Sequence, residues 1–291
     1  MTNGLPPIIV AVGDGLHEES SLRFAAAEAL RTGSPLRVVH VVPEVGPRAA
    51  RAPVISPELA EPAAHRLLEV ATARLRNLTA GKVPIERRVA HGDPADELVR
   101  ASQSAHMLVV EHRHLSRMHR VFTGSVTAGI SAHSRAEVVV VPELWQPAEA
   151  AIHRVLLGVG DWRDADALFE HAFDVADQHE AALKVLHAWD LPSVYQDALV
   201  DQTAVDEWRH DVVVDIEAAF ADAARRHPVV KATVEVVHGR PAEALVKASR
   251  EADLMVLGRR EPAHSRLHHL GSLTRAMLRV AECPVAVVPI A

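Results

Sequence analysis

The chain repeats its own pattern at a constant spacing of 147 residues, and this repeat restricts its fold more than any other feature. The pair Gly124-Ser125 returns as Gly271-Ser272, 147 positions later. The same spacing relates Gly13 to Gly160, Asp14 to Asp161, His40 to His187, Gly92 to Gly239, Pro94 to Pro241 and Val141 to Val288. Because the spacing stays constant from the first apolar run to the last, we interpret the chain as two copies of one domain, 1–146 and 147–291.

Each copy alternates short apolar runs with segments of helical periodicity. In the first copy we predict strands at 8–12, 36–42, 85–90, 106–111 and 138–141, and helices at 19–33, 58–79, 92–103 and from Ser125 onward. In the second copy we predict strands at 154–159, 183–189, 231–237, 252–258 and 285–288. Such alternation is typical of parallel sheets covered on both faces. The predicted fold class is therefore α/β, with two tandem open five-stranded parallel sheets and helices on both faces of each.

Composition and charge exclude several functions. The formal net charge is −7, which argues against nucleic acid as a partner, since binding it needs a basic face. The chain has no run of roughly 18 or more apolar residues and no signal-peptide pattern at its N-terminus. The one cysteine, Cys283, cannot form an internal disulfide, and we interpret it as a small buried side chain. We therefore predict a cytoplasmic protein with no membrane partner.

Two loops in each copy follow the carboxyl ends of predicted strands, where doubly wound sheets bind ligands. One follows the opening strand, at Gly13-Asp14 and Gly160-Asp161, and the other ends in Gly124-Ser125 or Gly271-Ser272 at a predicted helix start. There, unpaired N–H groups and the helix dipole attract an anion, and glycine permits close backbone approach. A serine at this place also caps helices in the ordinary way. Its repetition after a glycine-marked or basic loop favours a phosphate contact.

Three segments of each copy resemble the universal stress protein family, over essentially the whole chain. They are the opening strand and its turn ("IIVAVGDG" and "RVLLGVGD"), the pairs "VVHVV" with "HGDPADEL" and "VLHAW" with "HGRPAEAL", and the closing units "TGSVTAGISAHSRAEVVVVP" and "LGSLTRAMLRVAECPVAVVP". The resemblance implies a non-enzymatic, intracellular stress-response protein of the tandem type found in actinobacteria. Many members bind ATP or AMP and some bind cyclic AMP, so the resemblance implies these adenine nucleotides as candidate ligands.

The family's nucleotide motif is a glycine, two residues, a second glycine, nine residues and then Gly-Ser or Gly-Thr. The second copy keeps Gly258 and Gly271-Ser272 but has Glu261 at the second glycine. The first copy has Glu111 and His114 at the two glycines and keeps only the final Gly-Ser pair. A carboxylate at Glu111 would repel a phosphate, so the resemblance favours the second copy as the binding half.

The aspartate that ends the first strand in the family falls on a glycine in both copies, with an aspartate one residue later. A slip of one residue turns a side chain away from its expected direction. The resemblance implies these binding residues in the favoured second copy: Gly160, Asp161, Ala188, Gly258, Arg259, Gly271, Ser272 and Leu273. In the first copy it implies Gly13, Asp14, Val41, Gly124 and Ser125.

Histidines and arginines cluster in the loops after the fourth strands. The histidines are His112, His114 and His119 in one loop and His264, His268 and His269 in the other. No H-E-x-x-H motif or paired Cys-His spacing accompanies them, so we predict solvated histidines and no metal. The arginines are Arg113, Arg117 and Arg120, and Arg259, Arg260 and Arg266, which suit a phosphate or solvent equally.

The family's strand order places the closing strands, 138–141 and 285–288, at sheet edges. An apolar edge is prone to aggregation unless it is covered. We therefore predict that the two copies pair through these strands as an intrachain pseudo-dimer. A homodimer of whole chains stays open.

Three functions compete on this evidence. The first is a stress protein that binds an adenine nucleotide in its second copy, favoured by the motif residues kept there. The alternative is a scaffold that acts through an unidentified protein partner without a nucleotide, favoured by the substituted motif glycines. The third is an enzyme such as a nucleotidyl transferase or phosphatase, for which no signature occurs, since the chain has no P-loop. We predict the first function, with the scaffold as the alternative.

Overall fold

A computed structural model describes residues 5–13, 19–43, 57–112, 120–146, 152–190, 202–260 and 270–290. The first half contains β1 (Ile8–Ala11), α1 (Glu19–Thr32), β2 (Leu36–Val42), α2 (Pro57–Leu78), β3 (Ile85–His91), α3 (Pro94–Ser102), β4 (Met107–His112), α4 (Arg120–His133) and β5 (Glu137–Pro142). The second half contains β6 (Arg154–Gly158), α5 (Asp166–Gln178), β7 (Ala182–Trp189), α6 (Gln202–Ala219), α7 (Ala221–Arg226), β8 (Ala232–His238), α8 (Pro241–Ser249), β9 (Leu254–Arg260), α9 (Ser272–Val280) and β10 (Val285–Ile290).

Each half forms a parallel sheet with the same strand order. In the first half the order is β3-β2-β1-β4-β5, and every neighbouring pair is parallel. In the second half the order is β8-β7-β6-β9-β10, again parallel throughout. The predicted α/β class with two tandem parallel sheets is therefore confirmed. Successive strands are added on one side of β1 and then, from β4 on, on its other side, and the same happens at β6 and β9. In folds of this type the ligand crevice lies at the carboxyl ends of the two strands where the order reverses.

The central strands are buried because both of their faces are covered. Ile8, Ile9 and Val10 of β1 are completely buried, as is Leu157 of β6. Continuous apolar runs of this kind are expected where helices cover both sides of a parallel sheet. The described ranges contain no helix long and apolar enough to cross a membrane.

The helix that follows the third strand of each half begins in the same way but is capped differently. In the first half Asp93 is the N-cap of α3, and its Oδ1 accepts hydrogen bonds from the N–H groups of Ala95 at 2.9 Å and Asp96 at 3.2 Å, as the sequence predicts. In the second half Arg240 takes this position at α8 and makes no side-chain cap bond. The two cap residues have nearly the same backbone angles, φ −70° and ψ 125° against φ −62° and ψ 124°. The backbone at Arg240 therefore has the conformation of a capped helix start, but the side chain at this position does not cap the helix.

Replacing Arg240 with aspartate is expected to raise the free energy of unfolding by about 0.5–1 kcal/mol, because the carboxylate would accept the unpaired N–H groups and face the positive end of the helix dipole. The change removes the ion pair between Arg240 and Glu243, 3.3 Å long, but both side chains are 72% exposed and such pairs contribute little. Denaturant unfolding measures the difference, with Arg240→Ala as the control for the lost arginine. Equal stability of the aspartate and alanine variants would contradict the prediction.

Candidate functional site

The crevice of the second half lies at the carboxyl ends of β6 and β9, next to the start of α9. Gly160, just after β6, is exposed, and an added Cβ there would meet no atom within 4 Å. The carboxylate of Asp161 is held within its own loop: it accepts the N–H of Arg163 at 3.2 Å and pairs with the Arg163 guanidinium at 3.7 Å. Gly160 therefore borders open space, while Asp161 stabilises a turn.

A buried tryptophan beside this crevice was missed by sequence reasoning. Trp162 is only 8% exposed, and its ring contacts the ring of His187 on β7, with centroids 4.8 Å apart and planes at 81°. The guanidinium of Arg163 lies over the indole ring, 4.9 Å from its centroid. His187 is held by a 3.1 Å hydrogen bond to the carbonyl of Val159. The first half has Gly15 at the position of this tryptophan, so comparing the copies would have found it.

The start of α9 offers unpaired backbone donors to the crevice. Gly271 is the N-cap with φ −55° and ψ 149°, and Ser272 is the first helical residue, as the sequence predicts. Within the described ranges no side-chain hydrogen bond caps the helix, and its first turn contains no acidic residue. Gly271 and Ser272 are exposed, Leu273 is half-buried, and an added Cβ at Gly271 would have Thr274 Oγ1 as its nearest neighbour at 4.0 Å. The N–H groups of this first turn can therefore donate hydrogen bonds to an anion.

Gly258 does not face open space, in contrast to the close backbone approach to a ligand that the sequence suggests. It lies within β9, and an added Cβ would be 2.2 Å from Ile290 Cδ1 and 3.1 Å from Leu168 Cδ2. An isoleucine of β10 and a leucine of α5 occupy the space beside this glycine, so a larger residue would require the end of Ile290 to move. The next residue, Arg259, is 5% exposed and lies opposite Pro289 in the register with β10. Ala188, on β7, is half-buried.

In the first half, the position that corresponds to Gly258 holds a carboxylate. Glu111, at the end of β4, accepts the backbone N–H of Ser21 through Oε2 at 3.2 Å. Ser21 lies in the first turn of α1, so the chain supplies its own anion to that helix end. Position 111 corresponds to 258, and 21 to 168, through the 147-residue repeat. A polar contact in one half therefore replaces an apolar contact in the other.

Gly124-Ser125 does not open a helix in the first half, and the predicted start at Ser125 is wrong. Helix α4 begins at Arg120, so these residues are the fifth and sixth of the helix. Only the first four N–H groups of a helix lack an intrahelical partner, so neither residue offers a free donor. The preceding residues, Arg120 to Phe122, include no glycine or proline that would delay the helix.

The remaining predicted residues are partly described. Gly13 is exposed, and Val41 is 8% exposed. The predicted side chains that lie outside the described residues are Asp14, Arg113, His114, Arg117, His119, Glu261, His264, Arg266, His268 and His269. Cys283 is 1% exposed, in agreement with the predicted buried role. Burial raises the pKa of its thiol to about 12.

Comparison with known proteins identifies the family. The sequence model of the universal stress protein family matches residues 5–142 and again residues 151–289. The chain belongs to the universal stress protein family. A universal stress protein of Mycobacterium tuberculosis is 26% identical over 301 residues, covering 96% of this chain and 94% of its own length. Another, of Mycolicibacterium smegmatis, is 27% identical over 291 residues, covering 97% of this chain and 96% of its own length.

The fold of this universal stress protein is also found in a solved structure. The crystal structure of a universal stress protein from Archaeoglobus fulgidus covers 97% of this chain and 96% of its own, with a TM-score of 0.69 and 18% sequence identity. At this identity the likeness concerns the fold alone. The resemblance predicted from the sequence is confirmed by the two family matches.

Proposed function

We propose that this tandem universal stress protein works in the cytoplasm without enzymatic chemistry and binds an adenine nucleotide in its second half. The observation that carries the proposal is the start of α9, where Gly271 and Ser272 are exposed, no side chain among the described residues caps the helix and the first turn has no acidic residue. A phosphate group placed there would accept the unpaired N–H groups and interact favourably with the helix dipole. The adenine part of the proposal rests on the family resemblance.

The contrast between the halves supports the second half as the binding half. In the first half α4 begins at Arg120, one turn before Gly124, and the carboxylate of Glu111 lies at the end of the fourth strand. A carboxylate there disfavours a phosphate by like-charge repulsion. In the second half the corresponding residue is Gly258, on β9. The exposed Gly160 follows β6, the strand that pairs with β9.

An interaction scaffold without a nucleotide is the second candidate. The observations that favour it are the filled positions of the second half: Ile290 and Leu168 beside Gly258, and Trp162 packed on His187. Side chains that already occupy a crevice reduce the room for a ligand and are consistent with a surface that binds another protein. The following experiment distinguishes the two candidates.

Thermal unfolding of the full chain with ATP, AMP or cyclic AMP is expected to show stabilisation. A ligand present at 100 times its dissociation constant stabilises the folded state by about 2.7 kcal/mol. The variant Gly271→Asp is expected to lose this effect, because its carboxylate would cap α9 and occupy the place of the phosphate. The backbone of Gly271, at φ −55° and ψ 149°, accepts an aspartate without strain, so the variant should fold.

The matched control is Arg240→Asp, which adds a carboxylate at the N-cap of a different helix in the same half. It is expected to keep the full nucleotide effect. Absence of stabilisation by millimolar nucleotide in the unmodified protein would overturn nucleotide binding and favour the scaffold. Equal losses in Gly271→Asp and Arg240→Asp would show that the start of α9 is not the site.

A further inference from the structure

Four titratable side chains meet on the outside of the second half, away from the crevice. Glu170, Asp174 and Asp177 lie on α5 at helical spacing, and His227 follows directly after α7. One ligand atom from each of Glu170, Asp174 and His227 lies within 4.8 Å of the other two. Among the described residues, this is the one group of three metal-ligating side chains whose ligand atoms lie so close together. The four side chains are called the His227 cluster below.

The imidazole of His227 is held in one orientation. Its Nδ1 is 2.8 Å from Oδ2 of Asp177, and its ring stacks near Phe173 with centroids 6.2 Å apart and planes at 30°. A hydrogen bond from Nδ1–H to a carboxylate leaves the lone pair of the neutral ring on Nε2, directed at the other members of the cluster. Histidines that bind metals commonly make this second bond to a carboxylate, which fixes the tautomer and raises the basicity of the free nitrogen.

The distances from Nε2 to the two carboxylates are close to those between ligands of one small ion, the shorter one equal to it and the longer one a few tenths of an ångström above it. Nε2 lies 3.3 Å from Asp174 Oδ1 and 3.7 Å from Glu170 Oε1. Both distances exceed the roughly 2.7–3.2 Å of an N–H···O hydrogen bond. Two ligands bound tetrahedrally at about 2.0–2.1 Å from zinc are about 3.3–3.4 Å apart. Small side-chain movements would therefore bring all three atoms onto one ion.

Charge and access in the His227 cluster also suit a divalent cation. Three carboxylates face one guanidinium, that of Arg226, which holds Glu170 by a 2.9 Å bond from Nε to Oε1 and a second contact from Nη2 to Oε2. The hydrogen bond that His227 donates to Asp177, and then the charges of Asp174, Asp177 and Glu170, raise the pKa of His227. The side chain of Asp174 is 48% exposed and that of Glu170 33%, so an ion can reach the cluster from solvent.

The first half shows that this fold does not need the cluster. The positions 147 residues earlier hold Arg23, Ala27, Leu30 and Ala80, which carry none of these ligands. Helix α1 nevertheless packs on its sheet as α5 does, over the corresponding residues Glu19–Thr32 and Asp166–Gln178. A structural requirement of the fold would be expected in both copies. The convergence of a histidine and three carboxylates is thus a property of the second half.

We propose that Glu170, Asp174 and His227 bind a Zn²⁺ ion or a similar borderline transition-metal ion, with Asp177 orienting the histidine. One imidazole nitrogen with two carboxylate oxygens is a ligand set that zinc accepts, and water would complete the tetrahedron. Mg²⁺ and Ca²⁺ prefer sites made of oxygen ligands alone, so the histidine selects against them. The site is independent of the nucleotide proposal, and either can fail without the other.

Calorimetric titration of the metal-free full chain with ZnCl₂ tests the site. The repeat supplies the variants: His227→Ala and Asp174→Ala place the first-half residue at each ligand position and are expected to remove one equivalent of bound zinc. Asp177→Leu, also the first-half residue, is expected to weaken zinc binding by about 10–100-fold, the usual effect of losing the carboxylate that orients a metal-binding histidine. Millimolar Mg²⁺ is expected not to compete.

The chain has 19 histidines, so the control must separate this site from other zinc binding. His133→Ala, at the end of α4 in the first half, is expected to keep the stoichiometry of the unmodified protein. Histidine-selective NMR of the ring nitrogens provides a second measurement, in which the first equivalent of zinc shifts Nε2 of His227. Unchanged zinc stoichiometry in both His227→Ala and Asp174→Ala, or an unshifted His227 resonance in the unmodified protein, would overturn the proposal.

Discussion

Replacing Phe169 with alanine is expected to lower the free energy of unfolding of the second half by about 3–5 kcal/mol, the usual cost of removing a buried phenylalanine. Phe169 is completely buried, and its ring lies 5.7 Å from that of Phe220, which in turn lies 5.4 Å from Phe173. The substitution removes apolar contacts from an aromatic cluster and leaves a cavity that packed neighbours close only in part. Denaturant unfolding followed by circular dichroism measures the loss.

The control for this prediction comes from the repeat. Leu22 occupies the equivalent position of the first half and is 2% exposed, so Phe169→Leu keeps a residue that the same fold already packs there. We expect the leucine variant to lose clearly less stability than the alanine variant, because most of the buried volume is kept. A loss below about 1 kcal/mol for Phe169→Ala would contradict the packing described for this cluster.

Cys283 is expected to react with a thiol reagent at pH 8 more than about 1,000-fold more slowly in the folded protein than in the unfolded chain. The thiolate is the reacting species, and an unfolded cysteine has a pKa of about 8.5. In the folded protein burial raises the pKa of Cys283 to about 12, and the residue is 1% exposed. Both the small thiolate fraction and the lack of access slow the reaction.

The chain has one cysteine, so the reaction with a thiol reagent reports on this residue alone. If modification requires unfolding of the second half, Phe169→Ala should accelerate it by about two to four orders of magnitude, since each 1.36 kcal/mol is a factor of ten. Fast modification of the native protein, with its circular dichroism spectrum retained, would contradict the buried position of Cys283. An unchanged rate in Phe169→Ala would show that local opening exposes the thiol.

The fold could be predicted because its signals are local and occur twice. Apolar runs such as 8–12 are continuous because the strands are covered on both faces, and the constant spacing repeats every element in order. The cap at Asp93 and the helix start at Ser272 were also predicted, since both depend on residues within one turn of the helix. The boundaries of the two domains and their pairing as a pseudo-dimer stay predictions.

At two positions of the nucleotide motif, residues that are distant in the chain decide the local structure. The motif identifies Gly258 as a ligand position, but the residues beside it are Leu168 and Ile290, from other elements of the fold. The motif also places Glu111 next to a phosphate, whereas its carboxylate accepts the N–H of Ser21, 90 residues away. The spacing of a motif shows which residue types are present. It does not show which side chains from distant parts of the chain contact them.

The His227 cluster shows the same limit from the opposite direction. Its members are separated by up to 57 positions and have no spacing of a known metal motif. The sequence therefore indicated only the histidine-rich loops as candidate metal sites. The pairing of α5 with the end of α7 brings the carboxylates to the imidazole. The amino-acid sequence by itself determined the two α/β copies, their strands and the starts of α1, α2, α3 and α9 to within two residues, because periodicity and capping act over a few residues. Only the tertiary structure decided which glycine is exposed, which glycine is packed and where the titratable groups converge, because those outcomes depend on contacts between residues far apart in the chain.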